Sequence, residues 1–216
     1  MPGLRLDQAS LTLPGRPSPF SLAGMLPVGR ASAPREVLAT ISLDVSDGER
    51  IALLGGPGSG RSSLLRLLAA RRTPTAGACR VDGSVVAILD VGSDLDPEAT
   101  GQQDLERLAG GRADGATELS GLSELLDVPV GFCSPGMRWR LGFAAAAVRT
   151  GEVLLVDECL READLAFPPR ALAQLHRLMD RARVAVVAEP ALFARCSRAV
   201  ELVGGRLRAL RRLEAA

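Results

Sequence analysis

The sequence predicts an α/β domain in which a mainly parallel sheet is flanked by helices. Four short runs are fully apolar, at residues 51–54, 85–89, 153–156 and 184–187, as is typical of strands buried on both faces. Segments with helical periodicity alternate with these runs, which indicates helices on both sides of the sheet. A glycine-rich loop follows the first run and precedes a helix, an order that recurs in phosphate-binding folds.

The N-terminal part predicts antiparallel strands. Residues 4–13 and 37–45 alternate apolar and polar side chains, and the loop between them, residues 14–35, is rich in Pro, Gly and Ser. Near the other end of the chain, residues 199–203 and 206–210 flank two glycines, which indicates a β-hairpin. We therefore expect antiparallel strands at both ends of the chain.

Helical periodicity is clearest in three segments: residues 62–72, 134–149 and 169–181. Ser134 is an expected helix cap, and Pro135 suits the first helical turn. Residues 94–127 are polar and predict short helices interrupted at Gly110–Gly111 and at Gly115.

Composition limits the classes of function. The net charge of +1 provides no overall field that would attract nucleic acid or anionic lipid. All 26 basic residues are Arg, and the chain has a single histidine, His176, and four cysteines without a CxxC pair, so a zinc site is not expected. We expect reduced thiols in a cytosol. We expect no secretory signal, and no apolar run approaches the roughly 18 residues that span a membrane, so a membrane role would depend on a partner.

The glycine-rich loop has the sequence of a P-loop. Its residues are Gly55, Gly56, Pro57, Gly58, Ser59, Gly60, Arg61, Ser62 and Ser63. Glycines let the backbone N–H groups surround a phosphate, and the following helix N-terminus adds partial positive charge. Ser62 is placed to hold Mg²⁺, whereas Arg61 stands where the motif has Lys. The alternative is a glycine-rich turn without a ligand; no G-x-G-x-x-G register fits a dinucleotide site.

An acidic pair follows the apolar run 153–156. Asp157 and Glu158 would emerge at the carboxyl edge of the sheet, where α/β proteins bind ligands. We expect Asp157 to contribute to the Mg²⁺ site and Glu158 to orient and polarise an attacking water. A strand ending in two carboxylates is common, and a solvated strand end is the alternative. Their distance of about one hundred residues from the P-loop disfavours small nucleotide kinases.

With these motifs, the chain resembles the ATP-binding subunit of ABC transporters over nearly its whole length. Residues 133–141, Cys-Ser-Pro-Gly-Met-Arg-Trp-Arg-Leu, are similar to the family's signature motif. Their form is closest to the Tyr-Ser-Ser-Gly-Met-Arg version of the exporters of capsule, O-antigen or teichoic acid. Residues 88–101 are similar to a segment of that branch, and residues 160–167, with Asp164, resemble its D-loop.

The resemblance implies a mechanism and partners. It implies one nucleotide-binding domain over residues 1–216, with a shortened helical subdomain over about 94–149, that binds ATP and Mg²⁺. Two domains would pair head to tail, so that the signature residues of one face the nucleotide of the other. These signature residues are Ser134, Pro135, Gly136 and Met137. An integral-membrane permease subunit would hold the pair at the cytoplasmic face of the cell membrane.

The chain departs from the family pattern at five positions. Arg61 replaces the P-loop Lys, Asp90 replaces the Q-loop residue that reaches Mg²⁺ or water, and Pro135 removes a backbone donor from the signature. Glu189 aligns with the switch histidine and would repel a γ-phosphate, since two like charges about 4 Å apart cost on the order of 4 kcal/mol at an effective dielectric of about 20. Alternatively, Glu189 caps a loop. Phe20 is the candidate for the missing adenine-stacking aromatic.

These departures leave two functions open. Glu158 and Asp157 favour an ATP-hydrolysing subunit of a polysaccharide or glycoconjugate exporter, with Asp90 and Glu189 also at the catalytic site. Arg61, Pro135 and Glu189 instead favour a non-hydrolysing partner or a regulatory relative. An unrelated P-loop kinase would leave residues 133–141 unexplained. We expect ATP binding with slow hydrolysis.

Overall fold

The computed structural model describes residues 1–15, 33–160 and 167–212, and these residues contain nine strands in two sheets. The strands are β1 (Gly3–Leu13), β2 (Arg35–Val45), β3 (Arg50–Leu54), β4 (Ala76–Asp82), β5 (Val85–Ile88), β6 (Val153–Val156), β7 (Val184–Val187), β8 (Arg198–Val203) and β9 (Arg206–Arg212). The smaller sheet has the order β2-β1-β4 and is antiparallel, while the larger has the order β5-β6-β7-β3-β8-β9. The predicted fold class, with its antiparallel N-terminal part, is confirmed.

The larger sheet is parallel except at one edge. The strands from β5 to β8 run parallel in register, and β9 returns antiparallel to β8. Gly204 and Gly205 make that return, with φ of 54° and 76°, in the left-handed region that favours glycine. The parallel order brings the carboxyl ends of β3, β5, β6 and β7 to one edge, where the predicted site residues follow them.

The helices cover the sheet and form a separate helical layer. They are α1 (Arg61–Leu68), α2 (Gly101–Leu108), α3 (Ala113–Ser120), α4 (Pro135–Ala147) and α5 (Pro168–Arg181), with short 3-10 helices at Ser123–Leu125, Val130–Phe132 and Pro190–Arg195. As predicted, Ser134 caps α4 by accepting the Met137 N–H at 3.2 Å, and Pro135 occupies its first turn. In the part of the chain that the structure describes, every helix is too short or too polar to cross a membrane.

The sheet separates two apolar cores, because side chains alternate along each strand. On β6, Val153 and Leu155 face the core shared with α1 and the antiparallel sheet. Leu154 and Val156 face the core shared with α4 and α5, where the Phe143 ring is fully buried. A third core joins α2, α3 and the outer side of α4. The fully apolar runs are therefore strands covered on both faces, as expected.

Two local predictions are wrong, and one strand was not predicted. Strand β4 was not expected, since its small residues lack a clear alternation and it is held as an edge strand by pairing with β1. The helix after the P-loop ends at Leu68 instead of residue 72, because Ala70 adopts a left-handed φ of 55°. Gly115 lies inside the first turn of α3 and does not interrupt it, whereas Gly110 and Gly111 do separate α2 from α3.

Candidate functional site

The P-loop connects β3 to α1 and is closely packed at both of its ends. Gly55 has φ of 151°, and a Cβ there would lie 2.6 Å from the Leu202 carbonyl oxygen. Gly60, at φ of 107°, would place a Cβ 3.0 Å from the Val37 carbonyl oxygen. By contrast, an added Cβ at Gly56 or Gly58 would meet nothing within 4 Å. The loop is thus held at its ends and open in its middle, as a phosphate cradle requires.

A cavity of about 380 Å³ lies against this loop. It is lined by residues 56–63 of the loop, by Glu158, and by Leu13, Arg35 and Val37 of the antiparallel sheet. Leu13 and Arg35 are cross-strand partners on β1 and β2, so the two strand ends form one wall. Our reading of the sequence did not assign Leu13, Arg35 or Val37 to the site. The one sequence signal for them is their position where the predicted strands end and begin.

A second cavity, of about 240 Å³, lies at the carboxyl edge of the parallel strands. Its lining brings together five of the predicted site residues: Arg61, Ser62, Asp90, Asp157 and Glu158. Asp157 and Glu158 directly follow β6, and Asp90 follows β5, whose last residue pairs with the last residue of β6. The proximity of residues distant in sequence follows from the parallel pairing.

Arg61 and Glu158 form an ion pair across this edge. The Nη2 of Arg61 donates to Oε1 of Glu158 at 2.5 Å, and the two side chains are 15% and 23% exposed. The positively charged side chain of the P-loop, Arg61, is therefore paired with Glu158, the carboxylate that we expect to orient water. Because an Arg guanidinium is long and carries several donors, it can reach a neighbour that the compact ammonium of Lys contacts less readily.

Asp90 also forms an ion pair, with Arg66 of α1. Arg66 Nε donates to Asp90 Oδ2 at 2.7 Å, its Nη2 donates to Oδ1, and Arg71 lies 4.0 Å from Oδ2. The hydrogen bond from Arg66 holds the pKa of the Asp90 carboxyl below its usual range, against the opposing effect of burial. Asp90 thus lies at the site as predicted, but its carboxylate is paired with Arg66.

This pair predicts acid sensitivity. A carboxyl whose pKa is lowered in the folded state stabilises the fold above its unfolded pKa, and the contribution is lost as pH falls through the folded pKa. We expect Asp90→Asn to lower the free energy of unfolding by about 1 kcal/mol at pH 7, with the difference shrinking below about pH 4. Urea unfolding of both chains at several pH values measures this. The exposed Asp127→Asn is the control, and a difference independent of pH would contradict the prediction.

Glu189 directly follows Ala188 at the end of β7 and is only 5% exposed. Its Oε2 accepts the backbone N–H groups of Cys159 at 3.1 Å and Leu160 at 3.2 Å, and Oε1 accepts that of Ala191 at 3.5 Å. The carboxylate thus caps the short helix Pro190–Arg195 and contacts the segment after Glu158. Of the two expectations for Glu189, this geometry is that of a loop cap.

The signature-like residues lie apart from these cavities. Ser134 and Pro135 are exposed at the N-terminus of α4, with Gly136 and Met137 partly buried behind them. They do not appear among the described residues that line either cavity. Asp164 and Phe20, the expected D-loop and adenine-stacking residues, lie outside the described residues.

The donor set fits a phosphate and a hard cation. In the described part of the chain, the Ser59 hydroxyl is buried within the loop without a hydrogen-bond partner. Such a group is stabilised by an added acceptor or donor. The Ser62 hydroxyl and the Asp157 carboxylate are oxygen ligands of the kind Mg²⁺ prefers, and Mg²⁺ commonly takes one or two carboxylates together with phosphate oxygens. In residues 1–15, 33–160 and 167–212, no group of three or more His, Cys, Asp or Glu side chains is arranged to hold a metal ion by itself.

The fold and the site define a P-loop α/β domain of the ATP-binding cassette class. A solved dimeric cassette in a post-hydrolysis state, bound to ADP and Pi, superposes with a TM-score of 0.73 at 16% identity, covering 97% of this chain and 100% of that one. The family model described as ABC transporter matches residues 38–161. The chain belongs to the ABC transporter family.

Curated relatives point to one branch of this family. The O-antigen export system ATP-binding protein RfbB of Myxococcus xanthus is 33% identical over 150 residues, which are 64% of this chain and 34% of that protein. The teichoic acids export ATP-binding protein TagH of Enterococcus faecalis is 30% identical over 148 residues, 64% of this chain and 33% of that protein. The chain thus spans about a third of the length of these relatives. The resemblance to the polysaccharide-export branch is confirmed.

Proposed function

We propose that the chain is the ATP-binding subunit of an ABC transporter that exports a polysaccharide or glycoconjugate. The observation that carries the proposal is the convergence of the P-loop and the acidic strand end: Arg61, Ser62, Asp157 and Glu158 line one cavity. The backbone of the loop and Arg61 would hold the phosphates, and Ser62 and Asp157 would hold Mg²⁺. The export branch follows from the relatives, which are named as O-antigen and teichoic acid exporters.

Complete sites would form between two chains. In the proposed head-to-tail pair, Ser134 and Gly136 of one chain face the P-loop of the other, which is consistent with their position at the start of α4, away from the cavities. The capped N-terminus of α4 offers partial positive charge to the γ-phosphate. A permease subunit would hold the pair at the cytoplasmic face of the cell membrane. The Asp164 and Phe20 roles stay predictions.

Slow hydrolysis is part of the proposal. Mg²⁺ neutralises phosphate charge, and Glu158 would orient water only after its pairing with Arg61 is exchanged for a phosphate contact. Asp90 is similarly held by Arg66. These two pairs also favour the second candidate function, a chain that binds ATP and completes an active partner's site without hydrolysing it. Binding without turnover separates that candidate from the first.

Calorimetric titration with ATP, with and without Mg²⁺, tests the proposal. We expect a Kd in the micromolar range with Mg²⁺ and weaker binding without it, because Ser62 and Asp157 act on the nucleotide through the cation. Ser62→Ala should remove most of the Mg²⁺ dependence, whereas Ser123→Ala, on an exposed 3-10 helix, should change nothing. No binding at millimolar ATP, in the isolated chain and in the assembled transporter alike, would reject the proposal.

A further inference from the structure

Glu189 binds the backbone that follows Glu158, and the proposed function assigns no role to this contact. A carboxylate that is 5% exposed is unfavourable unless its oxygens accept hydrogen bonds. Oε2 of Glu189 accepts two consecutive backbone N–H groups, from Cys159 at 3.1 Å and Leu160 at 3.2 Å. Charge-assisted bonds of this kind are stronger than neutral ones and hold both peptide groups in one orientation. The segment after Glu158 is therefore joined to the end of the neighbouring strand.

The backbone near Glu158 has a second attachment. The N–H of Ala188, the residue after β7, donates to the carbonyl oxygen of Val156, the last residue of β6, at 2.7 Å. This bond continues the pairing of the two strands to the end of β6. Beyond this bond the regular pairing ends, and Glu189 bridges the gap by binding residues 159 and 160. Glu158 lies between these two attachments, so its backbone is held on both sides relative to β7.

We propose that Glu189 is a positioning residue that sets the Glu158 carboxylate for ATP hydrolysis by holding the Cys159–Leu160 backbone. This inference rests on the proposed function. Glu189 lines neither of the two cavities described above, whereas Cys159 lines the cavity of about 240 Å³, next to Glu158. It therefore acts through the segment and not by touching the nucleotide. Its oxygens are directed to backbone N–H groups, which is the loop-capping alternative to a contact with the γ-phosphate.

The test compares three variants with the wild-type chain. Glu189→Ala removes the acceptor for both N–H groups, while Glu189→Gln keeps an oxygen that can accept them. Asp104→Ala is the matched control: Asp104 is also buried and also holds a loop, accepting the Asp96 N–H at 2.8 Å, but it lies on α2 away from the site. The readouts are amide hydrogen exchange at Cys159 and Leu160, the kcat of ATP hydrolysis and the affinity for ATP.

In Glu189→Ala we expect exchange at these two amides to be faster by about tenfold or more, since the buried N–H of Cys159 and the partly buried N–H of Leu160 both lose their acceptor. We expect kcat to fall about tenfold with ATP affinity within about twofold of wild type, because the P-loop is unchanged. Glu189→Gln should recover most of kcat. Asp104→Ala should lower Tm while leaving exchange at the two amides and kcat unchanged.

Unchanged exchange in Glu189→Ala would overturn the inference, as would faster exchange with an unchanged kcat. A parallel loss of ATP affinity and kcat that Glu189→Gln does not recover would also overturn it, because the role would then be general stability. Failure of the proposed function looks different: the wild-type chain itself would neither bind nor hydrolyse ATP. In that case the exchange measurement still decides whether Glu189 holds the segment.

Discussion

Replacement of Glu158 by Gln is expected to lower the rate of ATP hydrolysis by at least about 100-fold, the lower range for loss of a general base. Glu158 follows β6 at the sheet edge and lines both cavities beside the P-loop. Gln has the same size but no longer accepts a proton or polarises water strongly. Phosphate release under multiple turnover measures the effect. The exposed Glu124→Gln is the control. An undiminished rate would show that another group orients the water.

Glu158→Gln should also tighten the binding of ADP, the product of hydrolysis. Because Arg61 is paired with Glu158 at 2.5 Å, a phosphate that binds Arg61 would compete with Glu158, and we expect this competition to weaken nucleotide binding. Removing the charge of Glu158 should therefore tighten ADP binding by about fivefold, equivalent to about 1 kcal/mol for a partly exposed pair. The gain should vanish in an Arg61→Ala background, where there is no guanidinium to release. An equal gain in both backgrounds would exclude the competition.

Replacement of Arg61 by Ala is expected to weaken ATP binding by at least about tenfold, since hydrogen bonds to charged groups contribute about 1.5–3 kcal/mol. The loop would retain its backbone donors, so some binding should persist. Calorimetric titration with Mg-ATP measures the change. Arg80→Ala is the matched control, since Arg80 is exposed on β4 and pairs locally with Asp82. Unchanged affinity in Arg61→Ala would mean that the backbone of the loop alone binds the phosphates.

Replacement of Arg61 by Lys extends this experiment. Lys keeps the positive charge but not the planar, multi-donor guanidinium that reaches Glu158. We therefore expect Arg61→Lys to bind ATP at least as tightly as wild type and to hydrolyse it faster, because Glu158 is released. A rate below that of wild type would indicate that the geometry of the guanidinium is needed for catalysis.

The fold was accessible from sequence where patterns are strong and local. The two apolar runs predicted as strands match β6 and β7 residue for residue, because a strand covered on both faces has no polar position within it. The cap at Ser134 was equally clear, since its chemistry is local. Strand β4 was missed because its small and polar residues carry no periodic signal, and its pairing with β1 supplies the order.

The sequence by itself determined where the P-loop and the acidic strand end lie, because both are contiguous motifs, and it predicted phosphate and cation binding there. Only the tertiary structure decided which partner each charged group takes. Arg61 meets Glu158 although 97 positions separate them, and Glu189 meets the Cys159 N–H across 30 positions. A long charged side chain at a sheet edge has several possible partners within reach. That choice depends on distances of a few ångströms set by strand pairing and packing, which residue types and spacing do not encode.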